Sequence, residues 1–294
     1  MRESGGARTH LQRFETVEGF LAVAEPYLIR REAEHNLLFG ITWSLMTVPH
    51  LYADPPYLAV VSRGSTVVGA AIQAPPWEIA LSLMDDPQAV DLIVADRLGA
   101  TSLPDLTGAT GPVAKVDEFA TGWSARTGGR AHLAMRERGF RLDQVVLPRR
   151  APGRMRPARL ADRDLVYEWL VDFTDEALHG HTPTDLAGVV DRWLSRAGRR
   201  LKLWIDNGLP VSLTGVGSLT PHGTRIGPVY TPSDLRGRGY ASNLVASASA
   251  WALDQGARFC FLFTDLANPT SNHIYQELGY APVIDVDRWA FEPS

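Results

Sequence analysis

The sequence predicts an α/β protein built from two consecutive domains, and three observations support this. The chain has 294 residues, which is enough for two ordinary domains. A segment rich in proline, glycine and arginine, residues 147–157, lies near the midpoint and is typical of a linker. The halves on either side of it repeat one order of helix and strand patterns. We therefore expect a first domain at residues 1–150 and a second at residues 151–294.

The repeated order can be followed along the chain. Each half begins with a helical pattern, at residues 18–40 and 162–180, and continues with a hairpin. The hairpins turn at Arg63-Gly64 and at Asn207-Gly208, between runs of β-forming residues. A further strand, helix, strand, helix and closing hairpin are predicted in each half. Few residues are identical, so the similarity also fits two unrelated α/β segments of similar length.

The second half shows its elements more clearly. Strands are predicted at 201–205, 211–218 and 224–231, and a helix with one apolar face at about 240–255. The apolar run at 259–264 is typical of a strand that is buried on both faces. Asn268-Pro269 predicts the start of a short helix, because asparagine caps helices and proline suits the first helical position. The last strands are expected at 280–291.

Composition excludes several classes of protein. The 29 basic and 33 acidic residues give a net charge of -4, which disfavours a large nucleic-acid interface. A single cysteine, Cys260, excludes an internal disulfide or a multi-cysteine zinc site and suits a reducing compartment. The first 13 residues lack the apolar core of a signal peptide, and the longest uncharged stretch contains proline, histidine and asparagine. We expect a soluble cytoplasmic protein with no membrane partner.

The strongest local signal is Arg236-Gly-Arg-Gly-Tyr-Ala241, between a predicted strand and a predicted helix. Glycines let the backbone turn tightly and direct its N–H groups inward, and the following helix adds unsatisfied N–H groups and the positive end of its dipole. Such a turn can hold a diphosphate. It matches neither the Walker loop nor the dinucleotide fingerprint. The alternative is an arginine-rich surface turn.

Two motifs together give the second half, from about Met155 to Phe291, a family resemblance. It resembles the GNAT superfamily of acyl-CoA-dependent N-acyltransferases, each a mixed, mostly antiparallel sheet flanked by helices. The preceding strand, 226–232, also has the family's Val-x-Thr-Pro character. The residues that match the two motifs in order and spacing are Arg236, Gly239 and Ala241, then Asn268, Ser271, Tyr275, Gly279 and Tyr280.

The resemblance implies acetyl-CoA as cosubstrate and assigns residues to it. The Val229 N–H would be the oxyanion donor and Tyr275 the general acid that protonates the leaving thiolate. The backbone of residues 229–231 would bind the acetyl and pantetheine groups, and the loop would surround the pyrophosphate. The residues implied in cofactor binding are Val229, Tyr230, Thr231, Arg236, Gly237, Arg238, Gly239, Tyr240, Ala241, Ser242, Asn268 and Ser271.

An amine acceptor also needs a route for its proton, since an alkylamine of pKa about 10 is only roughly 0.1% neutral at pH 7. In the family, the first helix of the domain and the loop after it line the acceptor site. Each candidate there also fits a solvated surface residue. Two histidines without a clear third ligand make a poor zinc site, so no metal is expected. The candidate bases are Glu168, Asp172, Asp175, Glu176, His179 and His181.

The first half departs from the family pattern. At the place of the phosphate loop it has residues 83–92, without the arginine and glycine motif and with Asp85, Asp86 and Asp91, which would repel a diphosphate. The counterpart of the helix with the acid, residues 113–126, contains no tyrosine. The chain resembles tandem GNAT proteins of the mycothiol synthase type. The resemblance implies a degenerate first domain without a CoA site.

The resemblance thus implies an N-acetyltransferase that moves an acetyl group to a small-molecule amine. Two alternatives stay open: acetylation of a protein or peptide amine, and a non-catalytic acyl-CoA-binding module. Neither nucleic acid nor membrane is expected as a partner. A tandem arrangement can satisfy its own interface, so a monomer is favoured over a homodimer.

Overall fold

The computed structural model describes residues 7–49, 52, 54–177, 185–195, 200–217 and 220–292. The chain divides into two compact units, Met1–Arg138 with Ile284–Ser294, and Gly139–Val283. This differs from a single division at residue 150. The last part of the chain belongs to the first unit, because its strand pairs with a strand of that unit.

The first unit is a mostly antiparallel sheet with helices between its strands. Its sheet has the order β1-β2-β3-β4-β5, in which only β4 and β5 are parallel. The elements are β1 (Thr9–Arg13), α1 (Val17–Leu28), α2 (Asn36–Thr47), β2 (Tyr57–Arg63), β3 (Thr66–Gln73), β4 (Ile79–Leu81), α3 (Ala89–Gly99), β5 (Gly108–Pro112), α4 (Val113–Thr127) and β6 (Arg130–Leu142), whose last residues belong to the second unit.

The second unit has the sheet order β6-β11-β10-β9-β8-β7, with β10 and β11 parallel. Pairs β7–β8, β8–β9 and β9–β10 are antiparallel. Its elements are β7 (Arg154–Pro157), α5 (Arg163–Ala177), α6 (Leu186–Leu194), β8 (Arg200–Asp206), β9 (Leu209–Gly217), β10 (Gly223–Tyr230), α7 (Tyr240–Asp254), β11 (Phe259–Asp265), α8 (Pro269–Glu277) and the first residues of β12 (Ala281–Glu292), which belongs to the first unit from Ile284 onward.

The two units repeat one element order. In each, a strand and two helices precede three antiparallel strands, and a helix then leads to a strand that is parallel to the third. Thus α3 follows β4 as α7 follows β10, and α4 follows β5 as α8 follows β11. The predicted fold class is confirmed: each unit has a mixed, mostly antiparallel sheet flanked by helices.

Two predicted elements differ from the structure. The helical pattern at residues 18–40 is interrupted, since α1 ends at Leu28 and α2 begins at Asn36, where the side chains of His35 and Asn36 are buried. The expected closing hairpins are single long strands, β6 of 13 residues and β12 of 12 residues. Strand β12 starts in the second unit and, from Val286 to Ala290, pairs antiparallel with β5 of the first unit. It is continuous from Ala281 to Glu292 and therefore contains no hairpin turn.

Helices cover both faces of the second unit's sheet. On one face, α5 and α6 pack on β8, β9 and the end of β10 through residues such as Val166, Leu203 and Tyr230. On the other face, α7 and α8 pack on β10 and β11 through residues such as Val245 and Leu262. Successive strand residues point to opposite faces of a sheet. At the end of β10, Tyr230 therefore packs on the side of α5, and Val229 packs on the side of α7. No helix of the described residues is long and apolar enough to cross a membrane.

Candidate active site

Strand β10 parts from its parallel neighbour near its end. Within the described residues, its pairing with β11 covers Gly223–Arg225, although β10 continues to Tyr230 and β11 to Asp265. A shift in register between Ile226 and Val229 marks a bulge on the side of β9. A bulge bends its strand, and the backbone beyond it gains no hydrogen bonds from β11. This end of β10 is the place where the sequence predicted a ligand for residues 229–231.

Part of the backbone at the end of β10 is already engaged. The Ser212 hydroxyl donates to the Tyr230 carbonyl at 3.0 Å, and it lies 2.9 Å from the Thr231 hydroxyl. The Thr231 carbonyl accepts from Arg236 Nε at 2.9 Å. Val229 keeps its place opposite Thr214 of β9 and is partly buried. These contacts fix the strand end, and a ligand there would share the two carbonyls with Ser212 and Arg236.

The loop from Arg236 to Gly239 has the backbone of an anion-binding turn. Gly237 and Gly239 have φ of 76° and 78°, in the left-handed region that glycine adopts without strain. Gly239 is the N-cap of α7, and among the described residues no side chain caps that helix start. A Cβ built on Gly237 would meet no atom within 4 Å, so the turn is open on that side. The free N–H groups of the first turn of α7 suit a diphosphate.

Two side chains brace this loop from behind. The Tyr240 hydroxyl donates to Asp206 Oδ2 at 2.6 Å, and this hydrogen bond raises the pKa of Tyr240. Asn243 Nδ2 donates to the Gly239 carbonyl at 2.9 Å and to the Arg149 carbonyl at 3.0 Å. The ring of Tyr240 is buried against Trp204 and Leu244, so its side chain belongs to the core. Arg238 is exposed and donates to the Asp234 carbonyl.

Arg236 connects the loop to helix α5. Its Nη2 atom lies 2.5 Å from Glu176 Oε2, and its guanidinium lies 5.9 Å from the centre of the Tyr230 ring. The Tyr230 hydroxyl donates to Asp172 Oδ2 at 3.2 Å. Burial, together with the negative charges of Asp172 and Glu176, raises the pKa of Tyr230 to about 12. Two carboxylates of α5, one turn apart, thus meet the end of β10 and the start of the loop.

The six predicted acceptor-side residues have different outcomes. The structure brings Asp172 and Glu176 to Tyr230 and Arg236. Glu168 and Asp175 are exposed, and in the described part of the chain neither forms a hydrogen bond or ion pair. His179 and His181 lie outside the described residues.

Tyr275 projects from α8 into the core of the second unit. Asn268 caps this helix, with its Oδ1 accepting from the Ser271 N–H at 3.0 Å, as the sequence predicted. Tyr275 is 9% exposed, and its ring lies 6.4 Å from that of Phe140 and 6.0 Å from that of Tyr280. Burial raises the pKa of Tyr275 to about 12. At neutral pH its hydroxyl is therefore protonated, and no described residue forms a hydrogen bond with it.

Two other kinds of chemistry are nucleophilic catalysis by Cys260 and metal binding. Cys260 is fully buried, and burial raises the pKa of its thiol to about 12, so it is a core residue as predicted and not a nucleophile. Across the described ranges, no group of three histidine, cysteine, aspartate or glutamate side chains is placed to hold a metal ion.

The corresponding places in the first unit are filled by its own side chains. At the start of α3, the buried Asp86 accepts from the Gln88 N–H at 2.8 Å, from the Thr9 hydroxyl at 2.9 Å and pairs with Arg63 Nη2 at 2.6 Å. Burial alone would raise the pKa of Asp86, but these hydrogen bonds and the Arg63 charge outweigh it and lower the pKa. The Asp86 carboxylate thus binds the N–H of Gln88, the N-cap residue of α3, and places a negative charge next to that helix start.

The backbone after β4 is also occupied. The Leu83 N–H donates to His35 Nε2 at 3.2 Å, and the Tyr27 hydroxyl donates to the Leu83 carbonyl at 2.5 Å. His35 Nδ1 in turn donates to the Leu28 carbonyl at 2.9 Å, which makes the ring the neutral Nδ1–H tautomer. Sequence reasoning missed Tyr27 and His35, because they are about fifty residues away in the chain and belong to no motif.

The family comparison falls on the second unit. Residues 163–280 match the Acetyltransferase (GNAT) family. That segment contains α5, the loop, α7 and Tyr275. The chain matches no curated protein in sequence.

Solved structures resemble the whole chain. A GNAT-family acetyltransferase from Colwellia psychrerythraea is 12% identical, with a TM-score of 0.57 over 96% of this chain and 100% of that one. A Drosophila protein is 12% identical, with a TM-score of 0.67 over 98% and 99%. A tandem GNAT protein from the clavulanic acid biosynthesis pathway is 14% identical, with a TM-score of 0.54 over 98% and 100%. At these identities the likeness shows the fold, and it extends over both units.

His35 makes the stability of the first unit depend on pH. Burial lowers its pKa from about 6.5, so below that pH the unfolded chain takes up a proton that the folded unit resists. We expect the contribution of neutral His35 to the free energy of unfolding to be fully present above about pH 6.5. Below that pH the free energy of unfolding should fall, by at most about 1.4 kcal/mol per pH unit. Urea unfolding at pH 7.5 and 5.5 measures this. His35→Gln should lose much of the dependence, and the exposed His10→Gln should keep it. An unchanged dependence in His35→Gln would contradict the assignment.

Proposed function

We propose that the chain is an N-acetyltransferase that uses acetyl-CoA and a small-molecule amine, on the premise that residues 163–280 form a GNAT acetyltransferase domain. The family match supports acyl transfer in general. One observation carries the proposal further. The diverging end of β10 and the open, uncapped start of α7 lie in that same domain, next to two carboxylates.

The residues present fit a diphosphate group. Gly237 and Gly239 give the loop its turn, the first N–H groups of α7 are available, and Arg236 and Arg238 supply positive charge. The ligand's pantetheine arm would follow the backbone of 229–231, where β11 no longer pairs with β10. When bound, acetyl-CoA supplies the activated acetyl group, as a thioester.

In the proposed reaction, a C–N bond forms between the amine and the acetyl carbon, and the C–S bond breaks. The amine loses a proton and the sulfur gains one. The Val229 N–H is the proposed donor to the oxygen that becomes negative, and one such donor contributes on the order of 3–4 kcal/mol. The fixed backbone of β10, held by Ser212 and Arg236, keeps this donor in place.

Tyr275 is the proposed source of the sulfur's proton. Its pKa of about 12 keeps the phenol protonated at neutral pH. Complete transfer to a thiolate of pKa about 8.5 would be uphill by about 5 kcal/mol, so the phenol would first stabilise the thiolate by a hydrogen bond. The hydroxyl has no partner among the described residues, which leaves it available for that bond.

The carboxylates of α5 support a cationic acceptor. Asp172 and Glu176 lie at the end of β10 and are exposed, so they can attract an ammonium group and take its proton directly or through water. A small acceptor is favoured by the tandem layout, which this chain shares in fold with a protein from a small-molecule biosynthesis pathway. A non-catalytic acyl-CoA-binding module is the second candidate, since the loop alone would serve binding.

We also propose that the first unit binds no CoA. The Asp86 carboxylate places a buried negative charge at the start of α3 and binds the N–H of its N-cap residue, Gln88, which disfavours a diphosphate there. Tyr27 and His35 take the backbone of Leu83, which a pantetheine arm would need. Each is a buried or part-buried contact within one unit. Displacing the Asp86 carboxylate would take hydrogen bonds from a fully buried side chain, and an unsatisfied buried polar group costs about 1–3 kcal/mol.

Calorimetric titration with acetyl-CoA tests both parts of this proposal. We expect one site per chain. Ala241→Asp should abolish binding, because a carboxylate in the first turn of α7 repels a diphosphate. The same charge favours the helix by about 0.3–1 kcal/mol, so the loss would not reflect unfolding.

The matched control places the same charge at the start of the other helix. Gln88→Glu adds a carboxylate to the exposed N-cap of α3, and we expect no change in affinity or stoichiometry. Two sites per chain would contradict the proposal for the first unit. A folded protein that binds no acetyl-CoA would contradict the function itself.

Tyr275→Phe separates catalysis from binding. With an amine on which the wild type is active, we expect kcat to fall by about a hundredfold, while acetyl-CoA affinity stays within about twofold. Tyr280→Phe is the control, because Tyr280 is a neighbouring buried tyrosine whose hydroxyl bonds Ser249. It should lose stability and keep its kcat. Equal kcat values in the wild type and Tyr275→Phe would refute the acid role.

A further inference from the structure

The ion pair between Arg236 and Glu176 occupies a group that the ligand would use. Arg236 is the first residue of the loop 236–239, the proposed diphosphate-binding loop, and Glu176 lies in a different element, helix α5. Their atoms Nη2 and Oε2 are 2.5 Å apart, and each side chain is 48% exposed. Among the described residues, the loop 236–239 forms no other ion pair with the rest of the second unit.

The pairing places a carboxylate where a phosphate oxygen would bind. A guanidinium has five N–H donors in one plane, and it binds carboxylates and phosphates in the same way. One edge of Arg236 is held through Nε by the Thr231 carbonyl, at 2.9 Å. The Nη2 donor is directed at Glu176. A diphosphate in the loop would therefore compete with Glu176 for Arg236.

The ion pair between Arg236 and Glu176 is weak enough for a ligand to replace Glu176. Ion pairs between exposed side chains stabilise by only about 0.2–1 kcal/mol, because solvent screens them. The first unit offers the contrasting case. Its carboxylate at the helix start, Asp86, has a fully buried side chain with three partners, which makes it a fixed part of the unit. Glu176 has the same kind of partner and remains accessible to solvent.

We propose that Glu176 is an internal competitor of the CoA diphosphate: it holds Arg236 in the free protein and gives it up to the ligand. The proposal rests on the proposed function and makes Glu176 a positioning residue that sets the affinity for CoA. Displaced, its carboxylate lies one helical turn from Asp172, on the side proposed for the acceptor. By linkage, an amine held there would favour CoA binding as much as CoA favours the amine.

Calorimetric titration with CoA distinguishes competition from a structural role. Glu176→Gln should tighten CoA binding about three- to fivefold, or about 0.7–1 kcal/mol. A residue that merely supported the loop would weaken binding when changed. Asp175→Asn is the matched control, since it removes the same charge from the adjacent position of α5. Asp175 is exposed and, among the described residues, makes no hydrogen bond or ion pair with the loop. It should change the affinity by less than about twofold.

A double-mutant cycle identifies the route of the effect. Arg236→Gln should weaken CoA binding about tenfold, and Glu176→Gln added to it should change the affinity by less than about 1.5-fold, because the shared partner is gone. If Glu176→Gln tightens binding equally in both backgrounds, the effect is general charge repulsion and the proposal fails. It also fails if Glu176→Gln leaves the wild-type affinity unchanged or weaker. CoA binding by neither the wild type nor Glu176→Gln would instead overturn the proposed function.

Discussion

Strands β10 and β11 stay paired only as far as Arg225, and the bulge between Ile226 and Val229 alters the course of β10 beyond that point. Buried backbone groups need hydrogen-bond partners, so a strand end that its neighbour leaves must find others. Here Ser212 and Arg236 take the carbonyls of Tyr230 and Thr231. The same end of β10 brings Tyr230 to Asp172 of α5 and leads toward the loop 236–239. The divergence thus brings Tyr230, Asp172 and Arg236 together at the end of β10.

The two units meet one physical requirement in opposite ways. Each places a helix after the third strand of its antiparallel run, and each helix begins with N–H groups that lack partners within the helix. In the first unit, Asp86 lies at the start of α3: its carboxylate accepts from the Gln88 N–H and its carbonyl from the Ala89 N–H, and Arg63 and Thr9 bind the carboxylate. In the second unit, Gly239 leaves the start of α7 without a side-chain cap, and the carboxylate of Glu176 pairs with Arg236 at the surface. Repetition of the fold therefore need not repeat the function.

Short sequence patterns predicted those features that depend on neighbouring residues in the chain. The loop 236–241, the cap at Asn268 and the apolar strand with Cys260 were all evident in the sequence, because glycine turns, helix caps and buried strands each have their own residue requirements. The division of the chain was not. Strand β12 pairs with β5 more than 170 residues earlier in the chain, and nothing in its composition specifies that partner.

The candidate site shows the same limit. The sequence assigned four acidic residues of α5 to the acceptor side without separating them. Only the fold shows that Asp172 and Glu176 meet the end of β10 and the loop, whereas Glu168 and Asp175 remain in solvent. The acidic character of residues 83–92 predicted that the first unit would repel a diphosphate. The roles of Tyr27 and His35 in occupying the neighbouring backbone depend on contacts between distant segments, and no sequence pattern announces them.

Amide hydrogen exchange with and without CoA tests the central claim most directly, namely that the diverging strand end and the open helix start of the second unit hold the ligand. The account predicts slower exchange in residues 229–231 and 236–242 when CoA is added, with residues 82–92 of the first unit unchanged. Protection of residues 82–92, or CoA binding that leaves residues 229–242 unprotected, would contradict it.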